Sequence, residues 1–387
     1  MNQDLWAKLR RRAVEIHVAE HLQERLARGD RLRVKLGLDP TAPDLHIGHL
    51  VVLDRLREFQ DAGHTVVAIV GDFTALIGDP SGRSETRPVL TRDQVDANAR
   101  TYFDQIFKVL DPARTEIHGN SEWLDRLGAD GVLRLLGHQT LQAVLQREDF
   151  AARLRQGTPI GAHEILYPFN QGYDSVAVHA DLEIGGTDQL FNLMFGREIQ
   201  RAYGQPPQDV AVFPLLEGTD GVRKMSKSLG NSIGLTDSAA DVYGKTMSIP
   251  DTLTPRYLDL VSNLAPDEVE RTLALPPRDA KAALARSLVA RLWGPAEALA
   301  AEAAFEARFR RREVLATDLP EHRPSHPEDL VGTLVELGWY STRSQARRVV
   351  EQGGARIDGV KATLDSRLAD GAVLKAGKRN FTRIRVG

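Results

Sequence analysis

The stretch LRVKLGLDPTAPDLHIGHLVVLDRLREFQDAGHTVVAIVGD, residues 32–72, decides the fold of this 387-residue chain. Residues 32–38 are an apolar run of strand length, and residues 46–63 have helical spacing and end at a glycine. Residues 64–72 form a second apolar run. A strand, a helix and a strand in this order are the crossover unit of a parallel sheet. We therefore expect an α/β domain.

The sequence on either side extends this unit to residue 215 or so. One amphipathic helix is predicted for residues 4–28, because apolar residues recur there near helical spacing: Leu5, Leu9, Val14, Val18, Leu22 and Leu26. A charged helix is predicted from Thr91 to Leu110, and further helices between Ser121 and Gly157. VAVH (176–179) and VAVF (210–213) are predicted to be strands that return to the sheet. The pattern predicts one α/β domain with a helical insertion.

The second half of the chain has a different pattern. A Gly-rich loop, residues 217–234, precedes residues 237–315, which are almost all helical in pattern. Residues 321–329 have the composition of a linker. Residues 341–354 predict a helix with Ser341 as its candidate N-cap and Gly353–Gly354 as its stop, and RIDGVKA (356–362) predicts a hairpin around Asp358–Gly359. We place the α/β domain at 1–235, an all-helical domain at 236–318, a linker at 319–328 and a small α/β module at 329–387.

The composition excludes several classes of protein. The chain has no cysteine, so it has no disulfide framework, thiolate zinc site or cysteine nucleophile. Its first residues lack the apolar core of a secretory signal, and no run approaches the roughly 18 apolar residues of a membrane span. We expect a soluble cytoplasmic protein with no membrane partner.

The charge is unevenly distributed along the chain. The net charge is -3, but residues 328–387 contain 11 Lys+Arg and 7 Asp+Glu, so this end is basic and the rest is acidic. Charge bias alone leaves two interpretations open, a solvated face and a nucleic-acid-binding surface.

HIGH (46–49) is the sharpest motif of the sequence. His46 and His49 are three residues apart at the start of a helix that follows a strand, so both rings point to one face. A helix N-terminus favours phosphate, and imidazoles there add hydrogen-bond donors. Gly48 leaves room for a flat base. Taken alone, the motif is more often two surface histidines near a cap.

KMSKS (224–228) is the second motif. Lys224 and Lys227 lie in a loop with Gly218, Gly221 and Gly230 around it, in a chain with only 10 lysines. Mobile lysines can close over a pyrophosphate, although a solvated charged loop is the commoner meaning of such a segment. HIGH at the first crossover helix followed by KMSKS in a later loop is a highly specific pair.

With both motifs in this order, the chain resembles the class I aminoacyl-tRNA synthetases, specifically the bacterial tyrosyl-tRNA synthetases. The resemblance implies a Rossmann-type parallel-sheet catalytic domain with a helical connective insertion, then an all-helical domain that meets the anticodon stem. It also implies a small α/β RNA-binding module resembling that of small-subunit ribosomal protein four, and a homodimer. The implied reaction joins L-tyrosine and ATP to tyrosyl adenylate plus pyrophosphate, and then transfers tyrosyl to the 3′ end of tRNA(Tyr).

The resemblance also assigns residues to the amino acid. Tyr167 and Gln171 are expected to hold the α-ammonium group, which Asp79 also faces, and Asp174 to accept the hydrogen bond of the phenol. Gln189 is expected near the amino acid. Without the resemblance these segments are weak signals, because YDS is typical of a surface hydrogen bond, GDPSG of a turn and GGTDQ of a Gly-rich loop.

The remaining expected roles concern the nucleotide and the tRNA. His46 and Thr41 are expected at the γ-phosphate, His49 at the ribose and phosphates, and Lys224 and Lys227 at the pyrophosphate. Asp188 is expected at the ribose, and the other expected ATP contacts are Asp39, Gly48 and Ser228. Magnesium is expected with the nucleotide, without a metal site on the protein. Arg343, Arg347 and Arg348 are expected to bind tRNA phosphates.

Two positions depart from the best-known pattern of the family. Lys35 stands where one bacterial branch has a tyrosine that also contacts the phenol, and Glu183 stands where it has a glutamine. The chain therefore resembles the other bacterial branch, and the partner of Asp174 at the phenol is left open.

Three other interpretations compete with this one. The small nucleotidyltransferases share the H-x-G-H helix but lack the long C-terminal additions. A tryptophanyl synthetase would not be expected to carry Asp174 or the RNA module. A catalytically inactive, synthetase-like RNA-binding protein would not need the intact motif residues His46, His49, Lys224 and Lys227.

Overall fold

The computed structural model describes residues 2–81, 90–310, 319–377 and 380–386. The chain divides into two units, Met1–Glu302 and Ala303–Gly387. The α/β class predicted from residues 32–72 is confirmed, since those residues form two parallel strands joined by a helix.

Six strands form the sheet of the first unit. They are β1 (Glu15–His17), β2 (Arg33–Leu38), β3 (Thr65–Val70), β4 (Thr115–Gly119), β5 (Leu182–Gly186) and β6 (Asp209–Phe213). Their order is β1-β6-β5-β2-β3-β4, with β2 to β6 parallel to their neighbours and β1 antiparallel to β6. The chain reverses its direction of travel across the sheet between β2 and β5, which is where open α/β sheets bind ligands.

Helices cover the sheet and form the insertion. The helices before β3 are α1 (Asn2–Arg12), α2 (Ala19–Arg28) and α3 (Leu50–Asp61). The helices α4 (Thr74–Ile77) and α5 (Arg92–Ile106) lie between β3 and β4. The insertion contains α6 (Ser121–Leu124), α7 (Gly128–Leu136), α8 (Leu141–Leu145) and α9 (Glu148–Gln156). It packs through Leu135, Val144 and Phe150 on α10 (Leu166–Ala177) and α11 (Leu190–Ala202).

The predicted single helix over residues 4–28 is wrong. The chain leaves the helix after Arg12, forms β1 against β6, and begins α2 after Val18, which has a left-handed φ of 58°. The apolar spacing already breaks between Leu9 and Val14, five residues apart. Leu5, Leu9, Leu22 and Leu26 are buried, whereas Val14 and Val18 are exposed.

The predicted strand at 176–179 is also wrong. Val176 and Ala177 are the last residues of α10, and His179, with a φ of 49°, turns the chain into β5. The alternation of VAVH is too short to separate a strand from the buried end of a helix. The predicted strand at 210–213 lies within β6 and is confirmed.

The C-terminal part of the first unit is helical, as predicted for residues 237–315 in outline. Its helices are α12 (Ala239–Ser248), α13 (Thr254–Val261), α14 (Pro266–Leu273) and α15 (Pro277–Trp293), and α16 (Pro295–Arg310) begins in this unit. The end of the predicted segment, residues 311–318, lies outside the described residues.

The second unit combines a small sheet with two helices, α17 (Leu330–Glu336) and α18 (Arg343–Glu351). Its strands are β7 (Glu321–His322), β8 (Ala355–Ile357), β9 (Val360–Lys361), β10 (Val373–Ala376) and β11 (Asn380–Ile384), in the order β7-β11-β10-β8-β9. The predicted hairpin is confirmed, and Asp358 and Gly359 have the positive φ angles of a tight hairpin turn. The N-cap of α18 is Thr342 rather than Ser341, because the Thr342 hydroxyl accepts from Gln345 N.

Across the described ranges, none of the helices is both long and apolar enough to pass through a lipid bilayer.

Candidate active site

A cavity of about 310 Å³ opens where the strands β2, β3 and β5 end. Most of the residues that the sequence singled out line it. They are Asp39, Thr41, His46, Gly48, His49, Asp79, Tyr167, Gln171, Asp174, Asp188, Gln189 and Lys224. Lys227 and Ser228 belong to the same loop as Lys224 but are not part of the cavity wall.

The rings of the two histidines of HIGH contact each other at the start of α3, with an angle of 45° between their planes. Their ring centroids are 4.1 Å apart, and Nδ1 of His46 accepts a hydrogen bond of 3.2 Å from Gly48 N. Nδ1 of His49 lies 3.1 Å from both the backbone nitrogen and the backbone oxygen of His46. A Cβ atom at Gly48 would lie 2.9 Å from the His46 ring, so the glycine leaves the space that this ring needs.

Burial keeps both imidazoles uncharged. It lowers the pKa of His49 to about 4 and that of His46 well below its usual range, and the neighbouring His49 and lysines lower the His46 value further. Because Nδ1 of His46 is an acceptor, the proton of that neutral ring is on Nε2. His46 therefore offers one neutral N–H donor at the helix N-terminus.

The lysines of KMSKS are paired with carboxylates. Lys224 Nζ lies 3.0 Å from Asp188 Oδ2, and Lys227 forms an ion pair with Asp44. Both lysine side chains are more than a third exposed. These are contacts that an anionic ligand can replace, because exposed ion pairs contribute little free energy.

Carboxylates and amides gather at one side of the cavity. Tyr167 Oη donates to Asp39 Oδ2 at 3.0 Å, and Gln189 Nε2 donates to Asp79 Oδ2 at 2.7 Å. Burial and the neighbouring Asp39 raise the pKa of Tyr167 well above its usual value, so the phenol is neutral. Buried Gln171 Oε1 has no hydrogen-bond partner among the described residues. This side of the cavity is rich in acceptors and suits a cation.

Asp174 lies at the inner side of the cavity and is 3% exposed. Its Oδ1 accepts from Trp123 Nε1 at 2.8 Å, and its Oδ2 accepts from Asn120 Nδ2 at 3.2 Å. Burial raises the pKa of Asp174 to about 7, although the charge of Lys35 and these two hydrogen bonds act in the opposite direction. The carboxyl group is thus an oriented acceptor with room for a further hydrogen bond.

Sequence reasoning missed three residues that support the site. Asn120 and Trp123 hold Asp174, and buried Arg147, from the insertion, bonds Asn192 and Ser81 and lies 3.5 Å from Asp79. Asn120 directly follows β4, and a polar residue at the end of a parallel strand would have been the signal had that strand been recognised.

The two departures from the family pattern contact each other. Lys35 Nζ lies 2.8 Å from Glu183 Oε1, and both side chains are essentially inaccessible to solvent. Lys35 is not part of the cavity wall, whereas Glu183 is.

The three arginines expected to bind tRNA lie on α18 of the second unit. Arg347 and Arg348 are exposed, and Arg343 forms a two-point hydrogen bond with Asp329 at 2.6 and 3.1 Å. Arg343 therefore also has a local partner at the start of α17.

Comparison with known proteins identifies the family of the chain. The family model of the class I tRNA synthetases for tryptophan and tyrosine matches residues 27–310. A tyrosine–tRNA ligase of Bordetella pertussis is 51% identical over 381 residues, which cover 96% of this chain and 93% of that protein. The tyrosine–tRNA ligase of Thermotoga maritima is 48% identical and covers 98% of this chain and 96% of that protein.

A solved structure shares the fold. The tyrosyl-tRNA synthetase of Archaeoglobus fulgidus, complexed with L-tyrosine, superposes with a TM-score of 0.63 at 23% identity, over 78% of this chain and 100% of that one. Since the family model matches most of the chain and relatives are about half identical over nearly all of it, the chain belongs to the class I tRNA synthetases for tryptophan and tyrosine.

Proposed function

We propose that this chain is a tyrosine–tRNA ligase that activates L-tyrosine with ATP and transfers tyrosyl to the 3′ end of tRNA(Tyr). One observation carries the proposal. The two histidines and Lys224, which suit phosphates, line the same cavity as Asp174, which suits a phenol hydroxyl. Relatives named tyrosine–tRNA ligase, at about 50% identity over nearly the whole chain, support the same activity.

The first step requires no acid or base from the protein. The tyrosine carboxylate attacks the α-phosphate of ATP in line, and pyrophosphate leaves with the electron pair of the broken P–O bond. Positioning and electrostatic stabilisation then dominate catalysis. In this proposal neutral His46 and Thr41 bind the γ-phosphate and His49 binds the ribose and α-phosphate region.

The lysines act on the departing pyrophosphate. Lys224 leaves Asp188, and Lys227 leaves Asp44, in exchange for phosphate oxygens. Asp188 is thereby released to bind the ribose hydroxyls, next to the nucleotide contacts of Asp39, Gly48 and Ser228. In the second step the terminal hydroxyl of the 3′ adenosine of tRNA attacks the tyrosyl carbonyl, and AMP leaves.

The acceptor-rich side of the cavity binds the amino acid. Gln171 Oε1, Tyr167 Oη and Asp79 receive the α-ammonium group, with Gln189 beside it. Asp174 accepts the phenol O–H, and its orientation by Trp123 and Asn120 makes it selective for a hydroxyl at that position.

ATP is a substrate of this family, and we propose that Mg²⁺ accompanies its phosphates, as is usual for this ion. Within residues 2–81, 90–310, 319–377 and 380–386, no cluster of three or more His, Asp or Glu side chains could hold a metal ion. The steps above involve only the protein's own side chains.

We propose that the second unit contributes to tRNA binding through Arg343, Arg347 and Arg348. The basic charge of residues 328–387 and the exposure of the last two arginines support this role. Arg343 would exchange Asp329 for a phosphate.

We also propose that the enzyme is a cytoplasmic homodimer. Three leucines on the insertion helices α7, α8 and α9 support an interface there, since Leu133, Leu141 and Leu154 are each more than half exposed. Burial against a second copy of the chain would remove this apolar surface from water. A chain without cysteine fits the reducing cytoplasm.

Tyrosine-dependent exchange of pyrophosphate into ATP tests the activation step. Exchange with tyrosine but not with tryptophan, followed by charging of tRNA(Tyr), is the expected result. Binding of tRNA without any exchange would instead identify a catalytically inactive RNA-binding relative.

A further inference from the structure

Lys35 and Glu183 are register partners on the neighbouring parallel strands β2 and β5. Side chains at paired positions lie on the same face of a sheet, and here both point towards α10. Their relative exposures are 0% and 1%. The sheet therefore contains one fully buried ion pair beside the tyrosine site.

The pair is completely hydrogen-bonded. Besides Glu183, Lys35 Nζ donates to Gln171 O at 3.1 Å and to Ser175 Oγ at 2.8 Å. Glu183 Oε2 accepts from Ser175 Oγ at 3.2 Å and from Gln208 Nε2 at 2.5 Å. A buried ion pair is nevertheless rarely more stabilising than an apolar pair of the same volume, because desolvation offsets the attraction. Stability alone does not account for it.

The geometry of Gln171 indicates what the pair does. An ionised carboxylate can only accept hydrogen bonds, so Gln171 must turn its Nε2 towards Glu183 Oε1, at 3.4 Å. Gln171 Oε1 is then left as the buried acceptor without a partner, in a residue that lines the cavity. A neutral glutamine at position 183 could donate as well as accept, so it would not fix this orientation.

We propose that the Lys35–Glu183 pair is a positioning unit for amino-acid recognition: Glu183 turns Gln171 so that Oε1 meets the α-ammonium group, and Lys35 balances the charge of Glu183 and anchors it to α10. The inference rests on the proposed tyrosine activation. It assigns to this chain a determinant of amino-acid affinity in which Glu183, at the cavity wall, acts through Gln171, and Lys35 lies outside the wall.

The double variant Lys35→Met/Glu183→Gln removes both charges and nearly preserves the volume. In pyrophosphate exchange, its KM for tyrosine should rise at least about tenfold, because one hydrogen bond to a charged group is lost. Its KM for ATP should stay within about twofold of the parent, since no nucleotide contact changes.

Two inhibitors separate positioning from general damage. Tyramine has the ammonium group of tyrosine without the carboxylate, and 3-(4-hydroxyphenyl)propionate has the carboxylate without the ammonium group. The inhibition constant of tyramine should rise about tenfold in the double variant, whereas that of the propionate should stay at the parental value. Glu183→Gln alone, in which Lys35 keeps its bonds to Gln171 and Ser175, gives the same test if the double variant does not fold.

An ion pair that is largely buried elsewhere in the first unit provides the control. Arg291 on α15 binds Asp54 on α3, with side chains 7% and 14% exposed, and neither residue lines the cavity. Arg291→Met/Asp54→Asn should lower the Tm and leave the KM for tyrosine unchanged.

The outcomes distinguish failure of the proposed function from failure of the positioning role. If the parent shows no tyrosine-dependent exchange, the proposed function fails and the inference fails with it. If the parent exchanges normally but the variants keep the parental KM for tyrosine, or lose affinity for both inhibitors equally, the inference alone is overturned.

Discussion

Replacement of Asp174 by asparagine tests the specificity of the site for tyrosine. A carboxylate offers about four lone-pair positions, so Asp174 can accept a phenol O–H in addition to its bonds from Trp123 and Asn120. A hydrogen bond to a charged group is worth about 1.5–3 kcal/mol. Its loss should therefore lower kcat/KM for tyrosine by about ten- to 150-fold.

Phenylalanine has no hydroxyl group, so its kcat/KM should not fall with that of tyrosine. The ratio of the two values in pyrophosphate exchange is the measurement, and the KM for ATP should be unchanged. Asp209→Asn is the matched control, because burial also raises the pKa of Asp209, but its partner is His21 and it lies outside the cavity wall. An unchanged ratio in a folded Asp174→Asn enzyme would refute the phenol assignment.

The pH dependence of kcat/KM for tyrosine tests the role of Asp174 independently. With a pKa raised to about 7, Asp174 is neutral below that pH and becomes an ionised, stronger acceptor above it. The parental kcat/KM for tyrosine should thus rise through pH 7 and level off, and the rise should be absent in Asp174→Asn. The histidines of HIGH cannot supply it, since burial keeps both neutral over this range.

The free energy of unfolding changes with pH in the opposite direction to kcat/KM. Because the pKa of Asp174 in the folded protein exceeds its ordinary value, the folded state binds more protons between about pH 4 and pH 7. Its contribution to the free energy of unfolding should fall as the pH rises through this window and stay constant above pH 7.

Three further changes test the rest of the proposed function. Lys227→Ala should slow adenylate formation by about 2–4 kcal/mol of activation free energy with little change in tyrosine binding, as measured by single-turnover kinetics. Lys245→Ala is its control, because this lysine is similarly exposed and paired with Asp237; equal rates in the two variants would contradict the role. Leu133→Asp should shift the sedimentation of the enzyme to that of a monomer, whereas Leu299→Asp, on α16, should leave a dimer; two unchanged profiles would place the interface elsewhere. A chain ended at Thr317, which lies outside the described residues, should retain tyrosyl-adenylate synthesis but charge tRNA weakly and with a shallower salt dependence; parental charging with the parental salt slope would exclude the basic module from tRNA binding.

The local parts of the fold were predictable because their signals are local. The crossover unit over residues 32–72 contains two apolar runs, one helical spacing and one glycine stop, and each of these lies within a few residues of the element that it defines. The hairpin at Asp358–Gly359 was recognisable for the same reason, since the turn type requires positive φ at both residues.

The missed elements depend on partners that are distant in sequence. β1 has three residues and exists because Glu15–His17 pairs with β6, almost 200 residues later. β4 has no fully buried residue in its pattern, so it lacks the apolar run that identified β2 and β3. Without β4, neither Asn120 nor Trp123 could be assigned to the site, and the partners of Asp174 stayed open.

Lys35 and Glu183 are two charged residues in buried strands, and each explains why the other can be buried. A lysine within an apolar run is unfavourable in a buried strand, and so is a glutamate in the next strand of the sheet; each alone argues against burial. The parallel register of β2 and β5 places the two residues opposite each other, which turns two uncompensated charges into one hydrogen-bonded pair. The sequence contains both charges, but their register could not be predicted from it. The pattern predicts a strand at residues 176–179, where α10 ends, and misses β5 at Leu182–Gly186. With this register, the two residues that depart from the family pattern support Gln171. The buried pair therefore contributes to substrate recognition more than to stability.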